Sequence, residues 1–189
     1  MFSGSMVAIV TPFDSRGKFA EESYRQLIDF QIENGTDVIV PCGTTGESAT
    51  LDFEEHEYVI KVCIEQVNKR IPVIAGTGSN NTRASVEMTR RAASLKVDGV
   101  LVVTPYYVKP PQRGLLEHYR QVAEVGVPVV AYNVPSRTGV SLSPETAAEP
   151  WTVTAMARAC RVGVTFLTRS CKDLFNTTPS DQLCRIRLA

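Results

Sequence analysis

Short apolar runs recur about every thirty residues along the first 150 positions: SMVAIV (5–10), DVIV (37–40), PVIA (72–75), DGVLVV (98–103) and PVVAY (128–132). Marked by Val7, Val38, Val73, Val100 and Val129, they lie 31, 35, 27 and 29 residues apart. Amphipathic segments fill the gaps. Tyr24, Leu27, Ile28 and Ile32 form one apolar stripe, and Val59, Val62, Cys63 and Val67 a second. Met88, Ala92 and Leu95 form a third, and Leu115, Tyr119 and Val122 a fourth. All follow helical spacing. Continuous apolar strands are buried on both faces, and a strand–helix–strand interval of this length implies parallel strands with right-handed crossovers. Turn signals mark the joints, with Asn-Gly at 34–35 and Asp-Gly at 98–99.

Two α/β architectures fit this rhythm, a doubly wound sheet and a (β/α)8 barrel. Neither GxGxxG nor GxxxxGK[ST] occurs, so the nucleotide-binding sheets lose support. Polar residues instead gather after successive strands. Thr11 follows the first, Thr44 and Thr45 the second, and Gly76-Thr77-Gly78 the third. Thr104, Tyr106 and Tyr107 follow the fourth, and Tyr132, Asn133, Ser136 and Arg137 the fifth. Reactive groups at the C-terminal rim are the habit of barrels, and a full barrel needs about 250 residues. Five strands make an incomplete one.

Composition narrows the function. Twenty Lys/Arg balance twenty Asp/Glu, so no basic field points to nucleic acid or an anionic membrane. No apolar run is long enough to span a bilayer, and MFSGSMVAIVTPFD reads as a first strand rather than a secretory leader. The five cysteines include no CxxC pair and the two histidines lie far apart, so neither a metal site nor a disulfide framework is expected. No cofactor is expected, and a reducing cytoplasm is the default location. Cys42 and Cys63 read as small core residues. His56, among three glutamates, reads as part of a solvated face, and His118 as helical and partly exposed.

The rim groups suggest a small-anion site. In GTTGES (43–48), glycines let backbone N–H groups approach a carboxylate or phosphate, and threonine hydroxyls add donors. A turn that caps the next helix explains the same residues. A strand-end tyrosine beside an arginine, as in Tyr132 and Arg137, suits proton transfer near a carbonyl and capture of a carboxylate. A buried tyrosine with its hydroxyl satisfied and a surface-paired arginine is the alternative.

Taken together, MVAIVTPF (6–13), GTTGES (43–48), IPVIAGTG (71–78), TPYY (104–107) and YNVPSRTG (132–139) closely resemble the dihydrodipicolinate synthase family. Its members are (β/α)8-barrel class I aldolases. The resemblance covers residues 1 to about 149 and implies a lyase that condenses pyruvate with L-aspartate 4-semialdehyde through a Schiff base, on the route to diaminopimelate and lysine. It implies that Thr45 holds the pyruvate carboxylate, that Thr44, Tyr107 and Tyr132 relay protons, and that Arg137 receives the carboxylate of the incoming aldehyde. It also implies a homo-oligomer, dimer or tetramer, with Tyr107 reaching into the neighbouring site.

One departure from the resemblance stands out. The family's Schiff-base lysine falls near Cys160 by count from Tyr132, and none of Lys18, Lys61, Lys69, Lys96, Lys109 and Lys172 lies in a matching segment. A thiol cannot form an imine with pyruvate. Residues 1–150 hold 14 basic and 18 acidic side chains, whereas 151–189 hold 6 and 2. The chain therefore reads as the N-terminal part of a barrel (1–149) followed by a divergent tail (150–189) from a frame change or truncation, with one plausible strand at 162–167. Two other functions remain open: an inactive, keto-acid-binding or interaction fragment, and a related pyruvate-dependent aldolase with another aldehyde partner.

Overall fold

A computed structural model describes residues 2–149 throughout and the backbone of residues 162–165 and 185–188. The chain divides into two compact units, one of Phe2–Thr77 with Glu87–Leu101, the other of Gly78–Val86 with the chain from Val102 onward.

The first unit holds β1 (Met6–Ala8), α1 (Glu21–Glu33), β2 (Val38–Val40), a 3-10 turn (Ser48–Thr50), α2 (Phe53–Val67) and β3 (Ile74–Gly76). It also takes most of α3 (Thr82–Ser94) and the start of β4 (Gly99–Val103). β1 pairs parallel with β2, Val7 opposite Ile39, and β3 pairs parallel with β4, Ala75 opposite Val100. A parallel bridge between Ile39 and Val73 links β2 to β3. Neighbours in space are therefore neighbours in sequence, as successive βα units require.

Every side chain of β2 and β3 is buried, the sign of strands covered on both faces. Against them lie Tyr24 and Ile28 of α1 and Val59, Val62, Cys63 and Val67 of α2, all buried. α2 begins where it does because Asp52 and Glu55 form a reciprocal capping box. α1 ends at Asn34, and Gly35 follows at φ +84°, the conformation the Asn-Gly signal anticipates. α3 departs from its expected stripe. Met88 and Leu95 are half-buried, while Ser85, Thr89 and Ala92 make the buried face. Thr89 Oγ1 donates to Thr77 Oγ1 at 2.9 Å, which makes a polar face tolerable inside.

The second unit holds the end of β4, α4 (Gln112–Ala123), β5 (Val129–Tyr132), α5 (Pro135–Thr138) and α6 (Pro144–Ala148). β5 neighbours β4, and the Tyr119 hydroxyl donates to the Val102 carbonyl at 3.2 Å. Leu115, Tyr119 and Val122 are buried as their spacing predicts. β6 (Val162–Thr165) and β7 (Arg185–Leu188) pair antiparallel with each other. β6 begins within the strand expected at 162–167.

Both histidines correct the sequence reading. His56 is 4% exposed and His118 is 2% exposed, neither of them on a solvated face. Each lies on its helix's apolar stripe, His56 in step with Val59, Ile60 and Cys63, and His118 with Leu115, Tyr119 and Val122. Among the described residues no helix is long and apolar enough to cross a membrane.

Candidate active site

The threonine turn follows β2 in the first unit. Cys42 (φ +53°) and Glu47 (φ +55°) take the left-handed conformation on either side of Gly43–Gly46, and such strain persists only where the surroundings over-determine it. Three backbone bonds tighten the loop: Gly46 N to Gly43 O at 3.1 Å, Glu47 N to Thr44 O at 3.2 Å, and Ser48 N to Gly43 O at 3.4 Å. From behind, the buried Thr11 hydroxyl donates to Gly46 O at 2.7 Å, and Gly76 N donates to Pro41 O at 2.8 Å. His56 Nε2 lies 2.9 Å from Gly76 O, so the ring carries its proton on Nε2 and donates there. Gly76 has to be glycine, since a Cβ would stand 2.0 Å from the Cys42 carbonyl oxygen.

Thr44 and Thr45 sit exposed at the tip of this braced turn. Their hydroxyls make no protein hydrogen bond among the described residues. The turn does not cap the next helix, because Asp52 does that. The turn-making explanation of GTTGES therefore accounts for its glycines but not for its hydroxyls. Beneath the turn, burial raises the Cys42 thiol far above its ordinary range and pushes Cys63 up to about 12. Both are inert core residues, as expected.

The second unit carries Tyr107, Tyr132 and Arg137. Tyr132 closes β5 and is half-buried. Its carbonyl accepts from Thr104 N at 2.9 Å and from Thr104 Oγ1 at 3.2 Å, which fixes the end of β5 beside the end of β4. Asn133 then clamps the returning chain, accepting from Leu142 N at 3.1 Å and donating to Leu142 O at 3.3 Å. Arg137 projects from α5, exposed, with no ion pair among the described residues. Tyr107 is 87% exposed at φ +69°, and its backbone N–H donates to Thr138 O at 3.2 Å. The structure thus ties the Tyr107 loop to the α5 loop that bears Arg137.

The five predicted residues fall into two sets, two in one unit and three in the other. The expected lysine position near Cys160 lies outside the described residues, as does Lys172. Lys61 faces Glu65 at 3.9 Å on α2; Lys69 and Lys96 follow helices α2 and α3, and Lys109 lies against Gly139. Lys18 lies in the loop after β1 and Lys109 in the loop after β4, but no lysine among the described residues lies on a strand. No group of three His, Cys, Asp or Glu among the described residues is placed to hold a metal. An open polar cleft of about 720 Å³ in the second unit is lined by Asn80, Asn81, Thr82, Arg83, Val108 and Gln121. It contains none of the five residues. Sequence reasoning missed His56 as a brace of the turn, although its place on the stripe of α2 was a usable signal.

Parallel strands in chain order, a helix after each of the first four, and polar groups at their C-terminal ends define an α/β chain of the (β/α)8-barrel class, with about five of its βα units. The chain belongs to the dihydrodipicolinate synthetase family, whose model matches residues 1–163. The 4-hydroxy-tetrahydrodipicolinate synthase of Syntrophotalea carbinolica is 63% identical over 147 residues, covering 77% of this chain and 50% of that protein. Among solved structures, the chloride-inhibited dihydrodipicolinate synthase of Acinetobacter baumannii complexed with pyruvate matches with TM-score 0.76 and 52% identity, over 78% of this chain and 51% of that one. The dihydrodipicolinate synthase of Aquifex aeolicus matches with TM-score 0.75 and 51% identity, over 77% and 50%. The chain spans about half the length of the curated relatives it matches.

Proposed function

We propose that this chain carries the keto-acid-binding and proton-relay half of a pyruvate-dependent class I lyase, one that condenses pyruvate with L-aspartate 4-semialdehyde to 4-hydroxy-tetrahydrodipicolinate. The observation that carries the reading is the threonine turn. The Thr11 hydroxyl bonds its Gly46 carbonyl, and Gly76, held in turn by His56, bonds the Pro41 carbonyl that leads into it, yet it presents two hydroxyls with no protein partner among the described residues. Thr45 holds the pyruvate carboxylate, with adjacent backbone N–H groups adding donors. Thr44, Tyr107 and Tyr132 form the relay, Tyr132 giving and taking the proton as carbinolamine loses water. Arg137 receives the carboxylate of the semialdehyde as a bidentate partner, which favours this aldehyde over other partners. On this reading the barrel portion ends near residue 149, the protein works in the cytoplasm, and it assembles as a dimer or tetramer.

The chain by itself binds the keto acid without forming the imine, because no lysine among the described residues lies on a strand. Pyruvate and borohydride tested on the intact chain should therefore give no adduct by mass spectrometry, and an adduct on any lysine would show that this chain supplies its own amine. Binding is read separately, from broadening of the pyruvate methyl resonance. Thr45→Val should abolish the broadening, and an unchanged signal in that variant would remove Thr45 from the site.

A further inference from the structure

We infer that Thr11 is a positioning residue whose hydroxyl latches the threonine turn in the form that offers donors to a ligand. The N–H groups that follow Gly43 divide into two sets. Those of Gly46 and Ser48 donate to Gly43 O at 3.1 and 3.4 Å, and that of Glu47 donates to Thr44 O at 3.2 Å. Those of Thr44 and Thr45 have no acceptor among the described residues, and the hydroxyls of the same two side chains have no partner there either. Four donors on two exposed residues are therefore left to an anion.

This division depends on the single peptide between Gly46 and Glu47. Its N–H makes the bond to Thr44 O, and its carbonyl accepts from the Thr11 hydroxyl at 2.7 Å. Glu47 stands at φ +55°, a left-handed conformation that is disfavoured for a residue with a Cβ. A flip of this one peptide plane returns Glu47 to negative φ and breaks the bond to Thr44 O. Gly46, lacking a Cβ, restrains such a flip little. The opposing force is the Thr11 hydroxyl, which is 3% exposed with its residue and bonds Gly46 O where water competes little. The contact is close: a Cβ on Gly46 would stand 3.0 Å from Ile9 O and 3.2 Å from Thr11 Oγ1. The chain leaving β1 thus sets the direction of donors that it does not itself carry. What the turn grips rests on the keto-acid reading given above, whereas the latch does not.

Thr11→Val keeps the shape of the side chain and removes the donor. Amide hydrogen exchange at Glu47, followed by NMR on the intact chain, should quicken about tenfold or more in this variant. Thr11→Ser, which keeps the hydroxyl, should restore the parental rate. Unchanged exchange at Glu47 in Thr11→Val overturns the inference, whatever the unfolding midpoint does. An equal quickening of every amide in the first unit also overturns it, because that is lost stability rather than release of one peptide. Pyruvate line broadening is then read on the same variants. With the latch gone, affinity should fall about fivefold, the size of one net hydrogen bond, and return in Thr11→Ser. Released exchange with undiminished pyruvate binding, or a parent chain that binds no pyruvate, would keep the latch and reject the keto-acid reading of the turn.

Discussion

The threonine turn and the tyrosine loop are both strand-end segments with left-handed residues, but they are held in opposite ways. Around Thr44 and Thr45 the backbone is pinned from beneath by buried groups: the Thr11 hydroxyl on Gly46 O, the Pro41 carbonyl under Gly76 N, and the His56 ring on Gly76 O. Around Tyr107 the ring stands 87% exposed, and its N–H reaches the Thr138 carbonyl. A site that must grip a small anion gains from the first arrangement, because the donors are already in place and nothing has to reorganise. The second arrangement holds an aromatic side chain in water, a poor resting place for a ring unless something covers it in use. The two segments differ in how much of their geometry the rest of the fold has already fixed.

The strongest way to break that contrast is Gly76→Ala. The new Cβ would stand 2.0 Å from Cys42 O and 2.9 Å from Gly43 N, both backbone atoms that side-chain motion cannot clear. Relief requires moving the strand end away from the turn, at a cost of about 3 kcal/mol or more. Chemical denaturation should show a midpoint displaced accordingly, and pyruvate line broadening should vanish with it. A variant that kept parental stability would mean that the turn is not braced by β3.

Acid should loosen both units, but unequally. Burial lowers the pKa of His56, opposed by its bond to Gly76 O, while burial alone brings His118 down to about 4. His118 Nδ1 lies 2.9 Å from Thr82 Oγ1, and its buried Nε2 has no partner among the described residues. Both histidines are neutral in the folded chain and take up a proton near pH 6.5 once unfolded. Their stability contribution is therefore complete above pH 6.5 and is lost below it, for His118 as pH falls toward 4. For His118 linkage gives at most ~3 kcal/mol over that window. Thermal unfolding followed from pH 7 to 4 should fall through this range, and His118→Gln should flatten the fall more than His56→Gln does. Equal slopes in the two variants would show that the Gly76 bond does not set His56 apart.

These two histidines also mark where the sequence was legible and where it was not. The strands and the stripes of α1, α2 and α4 lie where periodicity puts them, because burying one face is a demand that every residue on that face records. His56 was misread because Glu54, Glu55 and Glu57 surround it in sequence, whereas on the helix its neighbours are Val59, Ile60 and Cys63. Periodicity applied to the histidine itself would have turned it inward. α3 was harder. Its buried face is Ser85 and Thr89, and that burial is acceptable because the Ser79 backbone satisfies the Ser85 hydroxyl and Thr77, twelve residues away, satisfies that of Thr89. Of the site, the residue types at the strand ends were readable, but the bonds from Thr11 to Gly46 and from Tyr107 to Thr138 join segments 35 and 31 residues apart, and no local pattern encodes them.

The smallest expected effect lies at Tyr107 itself. Because the ring is exposed, Tyr107→Phe should change the free chain's stability by less than about 0.5 kcal/mol. Tyr107→Gly removes the side chain from a backbone held at φ +69°, where glycine carries no Cβ penalty. Relief of roughly 1 kcal/mol is then offset by glycine's greater freedom in the unfolded chain, so the unfolding midpoint should rise slightly or stay level. The same experiment on Glu47, the left-handed residue of the braced turn at φ +55°, sharpens the comparison. Its exposed side chain makes no bond among the described residues, so Glu47→Gly should follow Tyr107→Gly in stability. A loss at both sites would mean that the side chains, rather than the backbone around them, hold these two loops in shape.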